Sequence, residues 1–357
     1  MQRAVILFRS ILVLLALLVF PLNARADKPA VIRLAYPAVG TGNRPFAGDS
    51  STAVAHLKGL LEQEFKADGI EVKWVFLRGA GPAVNELYAN DLVDFSLLGD
   101  LPFIVGQASG LKRRTLLASG IRANTFLVVP ADSSIKSIKE LRGKKVGFQK
   151  GTNIQLAIAK ILEANGLTEK DIRAINMDNA SAKAAITTKD IDAAFGNNDI
   201  LALRDQGVAR IIYATHDDPR FLKHATFIGA DNFIKKYPEI TQRVVNQIVL
   251  AAKWIADNEA NPTPVYQLYT KTGFPFSAYK EDHAGSSQRV LSSPLLDTYV
   301  VTQYQKNIQA AKRYGLIKQE FDFKATIDDS FLKRALKDLK LEGFWNPVGE
   351  AGTVPRS

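Results

Sequence analysis

The sequence predicts an α/β protein of two lobes, each a mostly parallel sheet flanked by helices, with a ligand cleft between them. Three observations predict it. Short apolar runs alternate with amphipathic helical runs from about residue 28 to residue 226, the pattern of parallel strands joined by helical crossovers. The alternation falls into two units, the second opening near residue 123. A strand-like run at Thr226 to Ala230, followed by nearly all-helical sequence, reads as a return to the first unit. The expected division is a discontinuous first lobe, 28–122 plus 227–357, and a continuous second lobe, 123–226. Two crossings make a hinge, and such proteins hold a small ligand by closing.

The first strand is Ile32 to Tyr36, followed by a long loop from Pro37 to Ser51. A helix from Thr52 to Ala67 places Leu57, Leu60, Leu61 and Phe65 on one face, and Asp68-Gly69 ends it. Strands follow at Glu71 to Leu77, Asp94 to Leu98 and Thr115 to Ser119, with helices at Ala83 to Ala89 and Phe103 to Ser109. The second unit opens with the apolar run Phe126 to Pro130. Next comes Lys145 to Gln155, where Val146 to Phe148 is a strand and Asn153 starts a helix with Ile154, Ile158, Ile161 and Leu162 on one face. Thr152 and Gln155 are spaced as a capping box. Strands near Arg173 to Met177, Asp192 to Phe195 and Ala209 to Ala214 complete the unit, with helices at Ser181 to Thr187 and Asn198 to Asp205. Beyond residue 230 the helices are Glu239 to Asn258, Pro264 to Thr270, Asp297 to Tyr314 and Ser330 to Leu339.

The chain of 357 residues carries a formal charge of +10 and no cysteine. Disulfides, thiolate metal sites and cysteine nucleophiles are therefore excluded. Arg3 and Arg9, the apolar run Ile11 to Phe20 and the Ala24-Arg25-Ala26 triplet form a cleavable signal peptide over residues 1–26. Without Arg3, Arg9 and Arg25 the charge falls from +10 to +7. The remaining basic residues are dispersed, so the balance favours small anions weakly and does not call for nucleic acid. The expected location is a periplasm, with no lipid-anchor cysteine, and the expected state is a monomer.

Enzyme signatures are scarce. The four histidines, His56, His216, His224 and His283, show no metal-like spacing, and no metal site or cofactor is expected. The S-x-x-K at Ser133 to Lys136 lacks its partner motifs, and Gly40-Thr41-Gly42 lacks the third glycine of a dinucleotide loop. No catalytic residue is assigned. Loops at the strand exits are instead rich in small polar residues: Val39 to Arg44, Gly99 to Pro102, Gly120 to Asn124, Lys150 to Asn153, Asp178 to Ser181 and Gly196 to Asp199. These supply the candidate ligand residues Gly40, Asn43, Arg44, Gly99, Asp100, Leu101, Arg122, Asn124, Lys150, Gly151, Thr152, Asn153, Asn197 and Asn198. Arg44 and Arg122 are candidate oxyanion clamps. The helix start after Gly151-Thr152 offers backbone N–H groups and the positive end of a helix dipole to an anion.

Several stretches resemble the periplasmic substrate-binding proteins of aliphatic sulfonate, taurine and nitrate ABC transporters. They are Lys58 to Phe65 (KGLLEQEF), Arg78 to Leu87 (RGAGPAVNEL), Asp94 to Ile104 (DFSLLGDLPFI), Asp132 to Asn153, Leu167 to Asp171, Lys189 to Phe195 (KDIDAAF) and Tyr237 to Trp254. The resemblance implies a type II periplasmic-binding fold that captures a small anion, most simply an aliphatic sulfonate, by hinge closure. It implies delivery to a membrane permease with its ATPase, and a place in sulfur metabolism. Gly99-Asp100 and Gly151-Thr152 match the family's cleft loops, with Asp100 expected to cap its helix or bond a ligand amine. The long Pro37 to Ser51 loop, and Gly196-Asn197-Asn198-Asp199 in place of a tryptophan-aspartate-proline turn, depart from the family. Two alternatives are a ligand-binding input to a membrane kinase and an enzyme of this fold related to thiamine-precursor pyrimidine synthesis.

Overall fold

The computed structural model describes residues 28–45 and 48–350. The expected signal peptide, residues 1–26, lies outside the described residues. Two five-stranded sheets form the frame. The first contains β1 (Val31–Tyr36), β2 (Glu71–Phe76), β3 (Phe95–Gly99) and β4 (Arg113–Ala118). The second contains β5 (Phe126–Pro130), β6 (Lys145–Phe148), β7 (Arg173–Asn176), β8 (Ala193–Gly196) and β9 (Ala209–Ala214). The tenth strand, β10 (Ala225–Ala230), returns to the first sheet, giving the orders β2-β1-β3-β10-β4 and β7-β6-β8-β5-β9.

Each sheet is mixed. β10 runs antiparallel to β3 and β4, and β5 runs antiparallel to β8 and β9, while β1 pairs parallel with β2 and β3, and β6 with β7 and β8. Four strands of each sheet thus share a direction, and their carboxyl ends deliver the loops where a ligand crevice forms in open α/β sheets. The reversed strands are the ones next to the crossings. The crossings themselves pair, with Ala123 N–H donating to Lys223 C=O and Lys223 N–H donating to Ala123 C=O, both at 2.9 Å.

Helices cover both sheets. Those of the first half are α1 (Ser51–Leu57), α2 (Leu60–Phe65), α3 (Ala80–Ala89), α4 (Asp100–Ala108), α5 (Asn153–Ala164), α6 (Asn179–Thr187) and α7 (Leu201–Asp205). The single helix expected over Thr52 to Ala67 is broken at Gly59, whose left-handed φ of 63° ends one helix and starts the next. The second half supplies α8 (Asp231–Lys236), α9 (Pro238–Asp257), α10 (Thr263–Tyr269), α11 (Phe276–Asp282), α12 (Gln288–Leu291), α13 (Thr298–Arg313) and α14 (Ser330–Asp338). In α9 the buried positions Ile240, Val244, Val245, Ile248, Val249, Ala252 and Ile255 recur every three or four residues. That apolar stripe is what holds the helix in the first lobe's core, against α1 and α14. No helix among the described residues is long and apolar enough to cross a membrane.

Candidate functional site

A cavity of about 420 Å³ lies between the two sheets. The first-sheet side contributes Pro37 to Asn43 after β1, and Leu77, Arg78 and Ala80 after β2. The second-sheet side contributes Gln149 and Thr152 to Ile154 after β6, Asp178 to Ala180 and Lys183 after β7, and Asn197 and Asp199 after β8. Phe274, from the helical second half, closes one side. The lining is thus built from strand exits, as the crevice rule requires. The long first loop stays tight here: Gly40 N–H donates to Arg44 C=O at 3.0 Å across a turn in which Gly42 and Asn43 take φ of 67° and 62°. Glycine and asparagine are the residues that adopt that conformation most readily.

The start of α5 differs from its expected form. Thr152 is the N-cap by backbone geometry, yet no side chain caps the helix. The Thr152 hydroxyl donates backwards to Gln149 C=O at 2.8 Å, and Gln155 Oε1 accepts from Gly151 N–H at 2.7 Å. The capping box suggested by T-x-x-Q does not form. Gly151, at φ 74°, turns the chain so sharply that both side chains meet the turn instead of the helix. The first turn of α5 therefore opens on the cavity without a side-chain cap, with Thr152, Asn153 and Ile154 at its wall.

Four charged side chains share the cavity. Lys183 Nζ stands 2.8 Å from Asp199, whose side chain is 3 % exposed and whose Oδ1 has no hydrogen-bond partner. Arg78 reaches across from the first lobe to Asp178, donating through Nε at 3.2 Å and Nη2 at 2.5 Å. Gln149 Nε2 donates to Arg78 C=O at 2.8 Å, a second bond between the lobes. Asp178 also caps α6 by accepting from Ser181 N–H at 2.8 Å. Burial raises its carboxyl, but the Ser181 N–H and the Arg78 guanidinium outweigh it and hold Asp178 below the usual carboxylate range. The cavity thus offers two cations and a helix N-terminus, with one carboxylate facing each cation.

Of the residues expected at the site, Gly40, Asn43, Thr152, Asn153 and Asn197 line this cavity. Gly99, Asp100 and Leu101 lie behind it. A Cβ at Gly99 would come within 2.9 Å of the Asn153 side chain, so this glycine marks where the lobes touch. Asp100 is buried; Oδ1 accepts from Leu101 N–H at 2.7 Å, and Oδ2 from Asn307 Nδ2 at 2.9 Å. These bonds tie it to the first turn of its own helix and to Asn307, and it is not among the residues lining the cavity. Gly151 packs against Pro82, Lys150 pairs with Glu169 at 2.6 Å, Asn198 is buried and Arg44 is exposed. Arg122 and Asn124 line a separate small cavity beside the crossing, where the Arg122 guanidinium sits 4.2 Å from the Tyr299 ring centre. Sequence reasoning does not single out Arg78, Gln149, Lys183 or Phe274. Arg78 follows a strand directly, a signal available to be used, whereas Lys183 lies inside a polar helix and looks like an ordinary solvated lysine.

A family model described as NMT1/THI5 like matches residues 54–261. The chain belongs to this family. Among its relatives is a Bacillus subtilis (strain 168) protein named as an aliphatic sulfonates-binding protein, 26% identical over 296 residues, covering 81% of this chain and 86% of the relative. A solved structure named as the periplasmic sulfonate-binding protein of a sulfonate ABC transporter from Methylobacillus flagellatus KT is 32% identical, with a TM-score of 0.75 over 90% of this chain and 98% of the other. A second solved structure, named as the desulfurization enzyme DSZB, shares the fold at 16% identity and a TM-score of 0.64, over 86% of this chain and 99% of the other. The family resemblance read from the sequence, and the two-lobed α/β fold it implies, are thus both shown. The same fold carries binding proteins and an enzyme, so function has to be argued from the cavity.

Proposed function

We propose that the chain is the solute-binding component of an ABC importer, which captures a small sulfonate-like anion in a periplasm and hands it to a membrane permease driven by an ATPase. The single observation that carries this reading is the uncapped first turn of α5, which opens on a cavity shared with Lys183 and Arg78. Backbone N–H groups and fixed cations suit the tetrahedral oxygens of a sulfonate. The names of the relatives support the same ligand class and location. The cavity volume of about 420 Å³ has room for a sulfonate carrying a sizeable organic group. The side chains at its wall position and neutralise charge, which suits holding a ligand more than transforming one.

A thermal-shift panel of alkanesulfonates, taurine, nitrate, sulfate esters and uncharged controls tests the reading. A ligand at 100 times its dissociation constant stabilises by about 2.7 kcal/mol. The expected result is a rise in melting temperature with one or more sulfonates that is reduced in Lys183→Met, with a dissociation constant about tenfold weaker. Shifts confined to neutral or cationic compounds would sink the anion assignment.

A further inference from the structure

A second, smaller cavity of about 30 Å³ lies beside the crossing, lined by Asp49, Asp282, His283 and Gln288 among others. That is room for one water molecule or one ion. One ligand-type atom from each of Asp49, Asp282 and His283 falls within 4.8 Å of the others, and His283 Nε2 is 2.6 Å from Asp49 Oδ1. Asp282 is 7 % exposed, and the side chain of His283 is 11 % exposed. A further buried polar residue, Gln288, lines the same cavity. Gln288 is 3 % exposed, and its amide oxygen Oε1 has no hydrogen-bond partner. Its Nε2 lies 3.0 Å from Tyr266 Oη and 3.4 Å from His283 Nδ1. A buried acceptor left unpaired carries its full desolvation penalty, so this oxygen calls for a partner.

We propose that Asp49, Asp282 and His283 form a site for a divalent transition-metal cation of the zinc type. Two carboxylates neutralise the ion, and the imidazole favours zinc-like metals over calcium or magnesium. Bonds of about 2.0–2.2 Å place donors around one zinc roughly 3–3.5 Å apart, so side-chain shifts of about 1 Å close the site. A metal on Nε2 fixes the remaining ring proton on Nδ1. The Gln288 amide, turned over, then accepts that proton through the oxygen that now has no partner. Asn124 Nδ2 donates to Asp282 Oδ1 at 2.9 Å and steadies the second ligand. The nearby buried cation Lys223 is held on Asn197 Oδ1 at 2.6 Å. The consequence is mechanical. Asp49 ends the loop whose other half, Gly40 to Asn43, walls the ligand cavity, and it sits directly before Ser50, the N-cap of α1. A metal would fasten that loop to the end of α11. No local pattern in the sequence hints at this, because Asp49 and His283 are 234 positions apart.

Calorimetric titration of the tag-free, chelator-treated full chain with ZnCl2 tests the site. One equivalent is expected to bind, with Asp49→Asn and His283→Gln each weakening it by tenfold or more and CaCl2 binding more weakly than ZnCl2. Cobalt(II) gives a readout independent of stability: visible absorption bands on the wild type that His283→Gln abolishes, while circular dichroism confirms that both variants fold. No bound equivalent in the wild type would overturn the proposal, as would zinc affinity and cobalt bands that both variants leave unchanged. Calcium binding more tightly than zinc would overturn the choice of metal.

Discussion

Asp100 is a carboxylate closed off from water at the start of α4. Burial pushes its pKa up to about 6, against the pull of Lys160 and of the Leu101 and His224 N–H groups. The folded state therefore holds this proton more tightly than the unfolded chain does. Its full stability is present below the unfolded value near 4 and is lost as pH rises through about 6. The loss across that window is up to about 3 kcal/mol. Urea melts of the wild type between pH 4 and pH 7 are expected to show a decline that Asp100→Asn flattens, since the amide has no proton to lose. An equal decline in the variant would assign the effect to other groups. The carboxylate is also one end of a relay: Asn307 Nδ2 donates to Asp100, and Asn307 Oδ1 accepts from Lys160 Nζ at 3.0 Å. Three helices, α4, α13 and α5, are joined by it, so the residue expected to face a ligand instead helps to set the lobes against each other.

The element that matters most to the site is the β6–α5 joint, and its behaviour rests on one glycine. Gly151 takes φ 74°, and a Cβ there would come within 2.8 Å of Pro82 Cγ from the other lobe. Gly151→Ala meets both obstacles at once, a backbone region alanine disfavours and a close contact with a rigid ring. It is expected to destabilise by about 1–3 kcal/mol, lowering the melting temperature and weakening any ligand held at α5. An unchanged melting temperature would show that the turn relaxes freely. This joint also shows what a sequence can and cannot convey. Its strand, helix and glycine turn are all legible, because apolar period and turn chemistry are local. The absence of the capping box is not, because Thr152 and Gln155 find partners in the turn that spacing alone does not reveal. The short helices α8, α11 and α12 are hidden for a related reason: four to seven residues show too little period, and packing against α9 and α10 decides them. Lys183, similarly, becomes a cavity residue only through Asp199 and Phe274, which no local pattern ties to it.

Across the whole molecule the lobes are joined by several polar contacts besides the two crossings, Arg204–Glu281 and Lys160–Asn307 among them, and one at the wall of the cavity is the Arg78–Asp178 pair. The two residues come from opposite sheets, and their side chains are 52 % and 21 % exposed. A pair this open to water contributes about 0.2–1 kcal/mol, too little to hold the fold together and enough to bias a hinge. Asp178→Asn isolates that bias, because the amide oxygen still accepts from Ser181 N–H and keeps α6 capped. Losing the pair should shift the closed-to-open ratio by about 1.5- to fivefold, and the apparent dissociation constant of a ligand held between the lobes should rise by a similar factor when closed forms are the minority. Where closed forms are instead a large share of the ligand-free wild type, small-angle scattering is expected to show a larger radius of gyration for the ligand-free variant, with the two converging when ligand is bound. The melting temperature should change little, since the cap survives. Identical ligand-free scattering together with an unchanged dissociation constant would mean that closure is set elsewhere, with Glu163 and Arg313, joined at 3.0 Å between α5 and α13, the next pair to release.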